Sequence, residues 1–224
     1  MNVRVVALVA ALLPFFAVQL TYLVAASHGL VDWCNPYIDS CTSISATGRK
    51  PPASYLFRAT MLPSAVVMMG YWWLNYVWIG SLRDRSGSSQ WLNSWMLWLG
   101  ILANVGLIMY VTVLGERGDA WATQRRVGTI LFFSFTFLSQ LLLLAQLRRL
   151  HLERVIVRLL NAMWAVCSSL LFLGVLTVAL DAWNEAWYES VEDAFEWVLA
   201  LLLQSNFLLG YFVWRQADWR LEVK

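Results

Sequence analysis

Apolar residues run through this chain in six long stretches, at roughly 4–27, 55–81, 91–114, 127–147, 155–180 and 194–214. A helix needs about 20 mostly apolar residues to cross the hydrocarbon of a bilayer. Each stretch reaches that length and is apolar on all sides, as expected of a helix facing lipid or other helices. The polar segments between them alternate in character. "LRDRSG" and "QLRRLHLER" are short and basic. Residues 28–54, "GERGDAWATQRR" and "DAWNEAWYESVEDAFEW" are longer and chemically mixed. The pattern predicts an all-α, polytopic membrane protein: a single domain over 1–224, built as a six-transmembrane-helix bundle with an elaborated first external loop. The first stretch exceeds the 7–15-residue apolar core of a secretory signal and is read as an uncleaved span.

Charge placement orients the spans. With the N-terminus cytoplasmic, the inner side carries Arg4, Arg83, Arg85, Arg148, Arg149, Arg154, Arg158, Arg215, Arg220 and Lys224. The outer side carries Arg49, Lys50, Arg58, Arg117, Arg125 and Arg126. The acids divide the other way, with only Asp84, Glu153, Asp218 and Glu222 inside. Cytoplasmic loops are enriched in Lys and Arg, so both termini are expected in the cytoplasm. Tryptophan fits this frame. Trp33, Trp121, Trp183, Trp187 and Trp197 fall at the outer interface, and Trp78, Trp91, Trp214 and Trp219 at the inner one, as aromatic belts do. Trp72, Trp73, Trp95, Trp98 and Trp164 lie deeper and are expected to pack between helices.

Composition narrows the function classes. Only 13% of residues are charged, against about 25% in soluble domains, so no separate soluble domain is expected. A net charge of +2 gives no footprint for nucleic acid. Lys50 and Lys224 lie outside the apolar runs, which removes a retinal Schiff base. His28 and His151 sit at opposite ends of different helices, which argues against a bis-histidine haem. No cofactor and no metal are expected. Membrane lipids are the expected partners, with a homo-oligomer or a second membrane protein as a further one.

Binding chemistry concentrates in loops, and here it gathers on the external side. Cys34 and Cys41 suit a disulfide closing "CNPYIDSC", which in an oxidising compartment would add about 2–3 kcal/mol of stability. Two free thiols are the alternative. Next comes "SISATGRKPP" at 43–52, with Arg58 six residues beyond it. Glu185, Glu189, Glu192 and Glu196 share one side of an amphipathic helix over 181–197, lying at the interface or extending the sixth span outward, with the acids solvated, paired with arginines or holding a cation. Ionisable groups within a span are costly and default to function, so Arg58 and Glu196 are expected to face each other or a shared ligand. Arg125 and Arg126 either complete that group or snorkel to lipid phosphates. His28 is the only external imidazole for any catalysis, with Ser43 or Ser45 as nucleophile, although their spacing supports no triad.

The stretch "SISATGRKPPASYLFRATMLPSAVVMM" resembles the signature region of the Frag/DRAM/Sfk superfamily. That group includes the N-terminal region of the yeast Cwh cell-wall protein and the post-GPI-attachment factor of the Golgi. The family's first loop reads roughly P-[YS]-I-S-x-x-G-x-x-P-P before an aromatic-rich helix. Ser43-Ile44-Ser45, Gly48, Pro51-Pro52, Tyr55 and Phe57 match it. Arg58 matches the GPI-remodelling branch, and Glu196-Trp197 matches the opening of the last helix. The chain departs from the pattern at Arg125, where relatives often have histidine three residues before Gly128, and at Ala46, often aspartate.

The resemblance implies a membrane protein that binds, and in some relatives remodels, a lipid with an anionic or glycolipid headgroup at the outer leaflet. Arg49, Ser45, Arg58, Arg125, Arg126, Glu196 and Trp197 form the expected ligand set. A small transporter or channel is one alternative, with Asn104, Gln140, Asn161, Gln204 and Asn206 in the spans. A non-catalytic regulatory protein is another, with Gly70, Gly80, Gly100 and Gly106 permitting close helix contact. Compact loops suit a bacterial inner membrane with a periplasmic outer side, or else a eukaryotic endomembrane.

Overall fold

In the computed structural model, residues 3–82, 90–150 and 153–219 are described. Arg83, Asp84, Arg85, Arg220, Glu222 and Lys224, used above for orientation, and His151, used in the haem argument, lie outside them. Among the described residues the secondary structure is helical: α1 (Arg4–Ser27), α2 (Ile44–Thr47), α3 (Ala53–Ser81), α4 (Gln90–Thr112), α5 (Asp119–Leu147), α6 (Arg154–Trp183), α7 (Glu185–Glu189) and α8 (Glu192–Gln216).

Five helices are long and apolar enough to cross a membrane: α1, α4, α5, α6 and α8. Helix α3 has the length, at 29 residues. Its tryptophans and tyrosines, with Arg58, Pro63 and Asn75, lower its mean hydropathy and leave it outside that group. Burial explains the composition. Helix α3 packs against both α1 and α4 and buries Phe57, Met68, Tyr71, Trp72 and Asn75, so much of its surface meets protein instead of lipid.

The long helices form a ring. Helix α1 packs on α3 and α8, α3 on α4, α4 on α5, and α8 on α6. The remaining edge, between α5 and the α6–α8 pair, has far fewer close backbone approaches than the others. Arg4 forms an ion pair with Asp218, so the first and last helices finish together at one end of the bundle. The opposite end carries loop one, α2 and α7, and is called the disulfide end below.

Glycine sets the tightest crossings. A Cβ at Gly128 of α5 would lie 2.6 Å from the Gly106 carbonyl oxygen of α4, and one at Gly106 would lie 2.9 Å from the Gly128 oxygen. Gly100 holds the Trp72 ring against α4, where a Cβ would fall 2.3 Å from it. Gly70 and Gly80 play no such part: a Cβ at Gly70 meets only ordinary contact, and one at Gly80 meets nothing within 4 Å.

The tryptophans divide differently from the expectation. Of the five deep ones, Trp72 alone is buried, and Trp73, Trp95, Trp98 and Trp164 are exposed on the bundle's outer face. Adjacent helical positions differ by 100°, so Trp72 and Trp73 cannot both point inward. Trp197, Trp78 and Trp214, assigned to the belts, are instead core residues. Trp214 stacks on Tyr71 (centroids 5.1 Å apart) and donates from Nε1 to the Asn75 side-chain oxygen at 3.1 Å.

The buried amides serve packing. Asn206 of α8 donates to the Gln140 side-chain oxygen of α5 at 2.9 Å, and Gln140 donates to the Leu203 carbonyl at 3.0 Å. Asn104 donates to the Gly100 carbonyl within its own helix. These are the interhelical and back-bonding contacts with which membrane bundles satisfy polar groups.

Candidate functional site

Loop one is fastened at both ends. Cys34 and Cys41 form a disulfide. The Tyr22 hydroxyl accepts from the Cys34 N–H at 2.8 Å and donates to the Cys34 carbonyl at 2.7 Å, tying that turn to α1. Beyond Cys41 the chain docks on α8. Trp197 Nε1 donates to the Thr42 carbonyl at 2.8 Å, and the Ala194 N–H donates to Ser40 Oγ at 3.2 Å. Trp197 also meets Tyr22 and Tyr37 edge-on, at 6.0 and 5.3 Å. Trp197 is therefore the anchor of loop one, with its ring buried.

The next residues form α2. Ser43 is its N-cap and accepts from the Ala46 N–H at 3.1 Å, the usual role of serine there. Ser43 and Ser45 hydroxyls are 3.1 Å apart, and Arg49 donates to Ser45 Oγ at 2.9 Å. The Glu196 carboxyl faces the backbone N–H groups of Ile44 and Ser45. Gly48 and Gly115 let this loop close on the α4–α5 turn. A Cβ at Gly48 would lie 2.9 Å from Phe57 and Leu114 side-chain atoms, and one at Gly115, whose φ is +94°, would lie 2.5 Å from the Arg49 carbonyl oxygen.

A polar cleft of about 480 Å³ opens beside α2. Its walls are Ser43, Ser45 and Arg49 from the loop, Thr129, Ile130, Phe133 and Ser134 from α5, Tyr188 from α7, and Glu192, Asp193, Phe195, Glu196 and Leu199 from α8. Burial and the neighbouring Glu192 push the Tyr188 phenol up, so it stays a neutral hydroxyl. Two apolar spaces adjoin this cleft. A tight cavity of about 60 Å³, lined by Pro14, Phe57, Tyr110, Phe132 and others, shares Thr129, Phe133 and Glu196 with it. A groove of about 540 Å³ runs along the sparse α5/α6 edge of the ring and shares Phe133, Ser134 and Leu199 with it. Burial also pushes up the phenol of Tyr37, another wall of the tight cavity, against the lowering effect of its hydrogen bond from Gln19.

The expected ligand set is thus divided. Ser45, Arg49 and Glu196 meet in one cleft, joined there by Ser43, which was expected only as a nucleophile. Arg58 does not pair with Glu196. Its guanidinium donates to the Leu114 carbonyl at 2.6 Å and lies 4.0 Å from the Glu116 carboxylate. Arg125 donates to the Glu116 carbonyl at 2.8 Å. Both arginines fasten the α4–α5 turn, whose carbonyls have no helical partner. Arg126 is exposed. Helix α5 starts at Asp119, so Arg125 and Arg126 lie two turns inside it and not at its entrance. His28 bonds its own helix end through the Val24 carbonyl, and no hydrogen bond links it to Ser43 or Ser45 among the described residues. Since Arg58 and Glu196 share no partner, Arg58→Ala and Glu196→Ala are expected to add within about 0.5 kcal/mol in a double-mutant cycle on thermal stability. A larger coupling would contradict this division.

The acidic segment is not one helix either. Helix α6 ends at Trp183, and Asn184 accepts from the Trp187 N–H at 3.1 Å to start the short α7. A second break at Ser190–Val191 precedes α8. Glu185 and Glu189 are therefore exposed and do not line the cleft, and Glu192 and Glu196 reach it from α8. Asp193, Thr129, Ser134 and Tyr188 belong to the cleft and did not stand out in the sequence. Asp193 was legible as the third acid in "ESVEDAFEW"; the α5 hydroxyls carry no local signal.

An all-helical membrane protein whose first loop helps build a polar cleft at one end of a helical ring is the class defined so far. The chain belongs to the Frag1/DRAM/Sfk1/Cwh43P N-terminal domain family, whose family model matches residues 2–217. No curated protein and no solved structure matches it.

Proposed function

We propose that this protein binds a membrane lipid, with the headgroup in the polar cleft at the disulfide end and an acyl chain in the groove between α5 and α6. One observation carries this reading: the cleft of Ser45, Arg49 and Glu196 lies directly beside an apolar groove, the two sharing Phe133, Ser134 and Leu199 in their linings. A polar pocket adjoining an apolar slot matches an amphipathic molecule. The slot lies along the edge of the ring that helix packing leaves sparse, which gives a lipid lateral access from the bilayer. In this reading all six long helices cross the membrane, both termini are cytoplasmic, and the disulfide end faces the outer leaflet, periplasmic in a bacterial cell. Helix α3 crosses because its polar side is covered by α1 and α4. The relation to GPI-lipid remodelling enters through the family alone. Among the described residues no imidazole bonds to Ser43 or Ser45, and the reading is limited to binding.

The test is a mass-spectrometric survey of lipids that co-purify with the protein, paired with a groove-filling variant. A Cβ at Gly174 meets nothing within 4 Å, and Gly174 lines the groove. Gly174→Phe is expected to fold normally and to lose most of the bound lipid. Wild-type protein with no lipid enriched over the bulk membrane would end this reading.

A further inference from the structure

Resting on that lipid reading, the charges of the cleft identify the headgroup. Arg49 stands on the loop wall, and Glu192, Asp193 and Glu196 stand on α8. The Arg49 charge acts on Asp193 and Glu196, yet among the described residues Arg49 forms no ion pair within 4.0 Å. One of its nitrogens is held by Ser45. Cation and carboxylates thus face each other across open cleft without closing on each other. The Glu196 carboxyl faces the backbone N–H groups of Ile44 and Ser45, which leaves Glu192 and Asp193 as the acceptors turned to a ligand.

We infer that the cleft takes a zwitterionic headgroup bearing a primary amine, with the phosphate on Arg49 and the ammonium on Glu192 and Asp193. Three carboxylates against one guanidinium disfavour a purely anionic headgroup, because like charges repel at close range. An ammonium offers three N–H donors to carboxylates, in charge-assisted bonds that are about twice as strong as neutral ones. A quaternary amine has no such donor and is held best by a cage of aromatic faces. Here the Tyr188 and Phe195 rings stack on each other, with centroids 6.3 Å apart.

The experiment incorporates the full chain into nanodiscs holding equal parts of dioleoyl phosphatidylethanolamine, phosphatidylcholine and phosphatidylglycerol, and reads bound lipid by native mass spectrometry. The ethanolamine lipid is expected to be enriched roughly tenfold over the glycerol lipid, the ratio that one charge-assisted bond supplies. Glu192→Gln with Asp193→Asn is expected to abolish that preference while lipid remains bound. Both changes are near-isosteric, and the melting curve checks the fold. Arg49→Gln is expected to weaken all three phospholipids alike. Equal binding of the three, or preference for the glycerol or choline lipid, overturns the amine assignment and leaves the lipid site standing. If no phospholipid stays bound to the released protein, or if Gly174→Phe retains as much as wild type, both fall.

Discussion

Trp197→Ala is expected to be the most damaging single change at the disulfide end, costing about 3–5 kcal/mol, the usual range for emptying a buried aromatic site. Trp197 is 1% exposed. Its removal leaves a cavity between Tyr22 and Tyr37, strips the Thr42 carbonyl of its donor, and breaks the main link between loop one and α8. Two readouts separate packing from docking. Thermal unfolding in detergent measures the stability loss, and the rate of tryptic cleavage after Arg49 reports release of the loop. Trp197→Phe keeps most ring contact and loses the hydrogen bond, so about 1–3 kcal/mol is expected from the orphaned carbonyl. An alanine variant that melts with wild type would show that the loop is held elsewhere.

Gly128→Val should be the most damaging change in the helical ring. A Cβ at this position meets the Gly106 carbonyl oxygen at 2.6 Å and the Tyr110 backbone nitrogen at 2.9 Å. Neither can swing aside as a side-chain end could, so α4 and α5 must separate along their whole crossing. Overpacking of this kind costs about 1–3 kcal/mol, and more where backbone is the obstacle. Gly80→Ala is the matched control. It sits in a helix with nothing within 4 Å, and alanine is expected to be neutral or to gain up to about 1 kcal/mol there. Equal melting of the two variants would argue against the close crossing.

Together these variants bear on the lipid reading from two directions. The first loosens one wall of the polar cleft, because Ser43, Ser45 and Arg49 reach their places through the chain that Trp197 pins. The second shifts α5, which carries Thr129, Phe133 and Ser134 on the opposite wall. Each is expected to reduce bound lipid along with stability, whereas Gly174→Phe removes lipid and leaves stability intact.

The amino-acid sequence alone determined that the chain is all-helical with membrane-spanning helices, the ends of most helices, and which two cysteines could pair. Hydropathy over 20 residues and two cysteines in one short loop are local properties, and they need no knowledge of neighbours. Family membership was legible for the same reason, through Ile44-Ser45, Gly48 and Pro51-Pro52. Four cleft residues, Ser43, Ser45, Arg49 and Glu196, could be named because polar groups at the edge of an apolar run stand out. Their partners could not. Whether Arg58 meets Glu196 or the Leu114 carbonyl depends on where α4 ends relative to α3, and the Arg58 side chain is long enough for either. The acidic segment was misjudged because periodicity continues through a break: the Asn184 cap turns the chain, and the count of 100° per residue restarts at Glu192. Tertiary structure alone decided which tryptophans are core, since in an apolar helix every side is hydrophobic and only packing distinguishes the face toward protein from the face toward lipid.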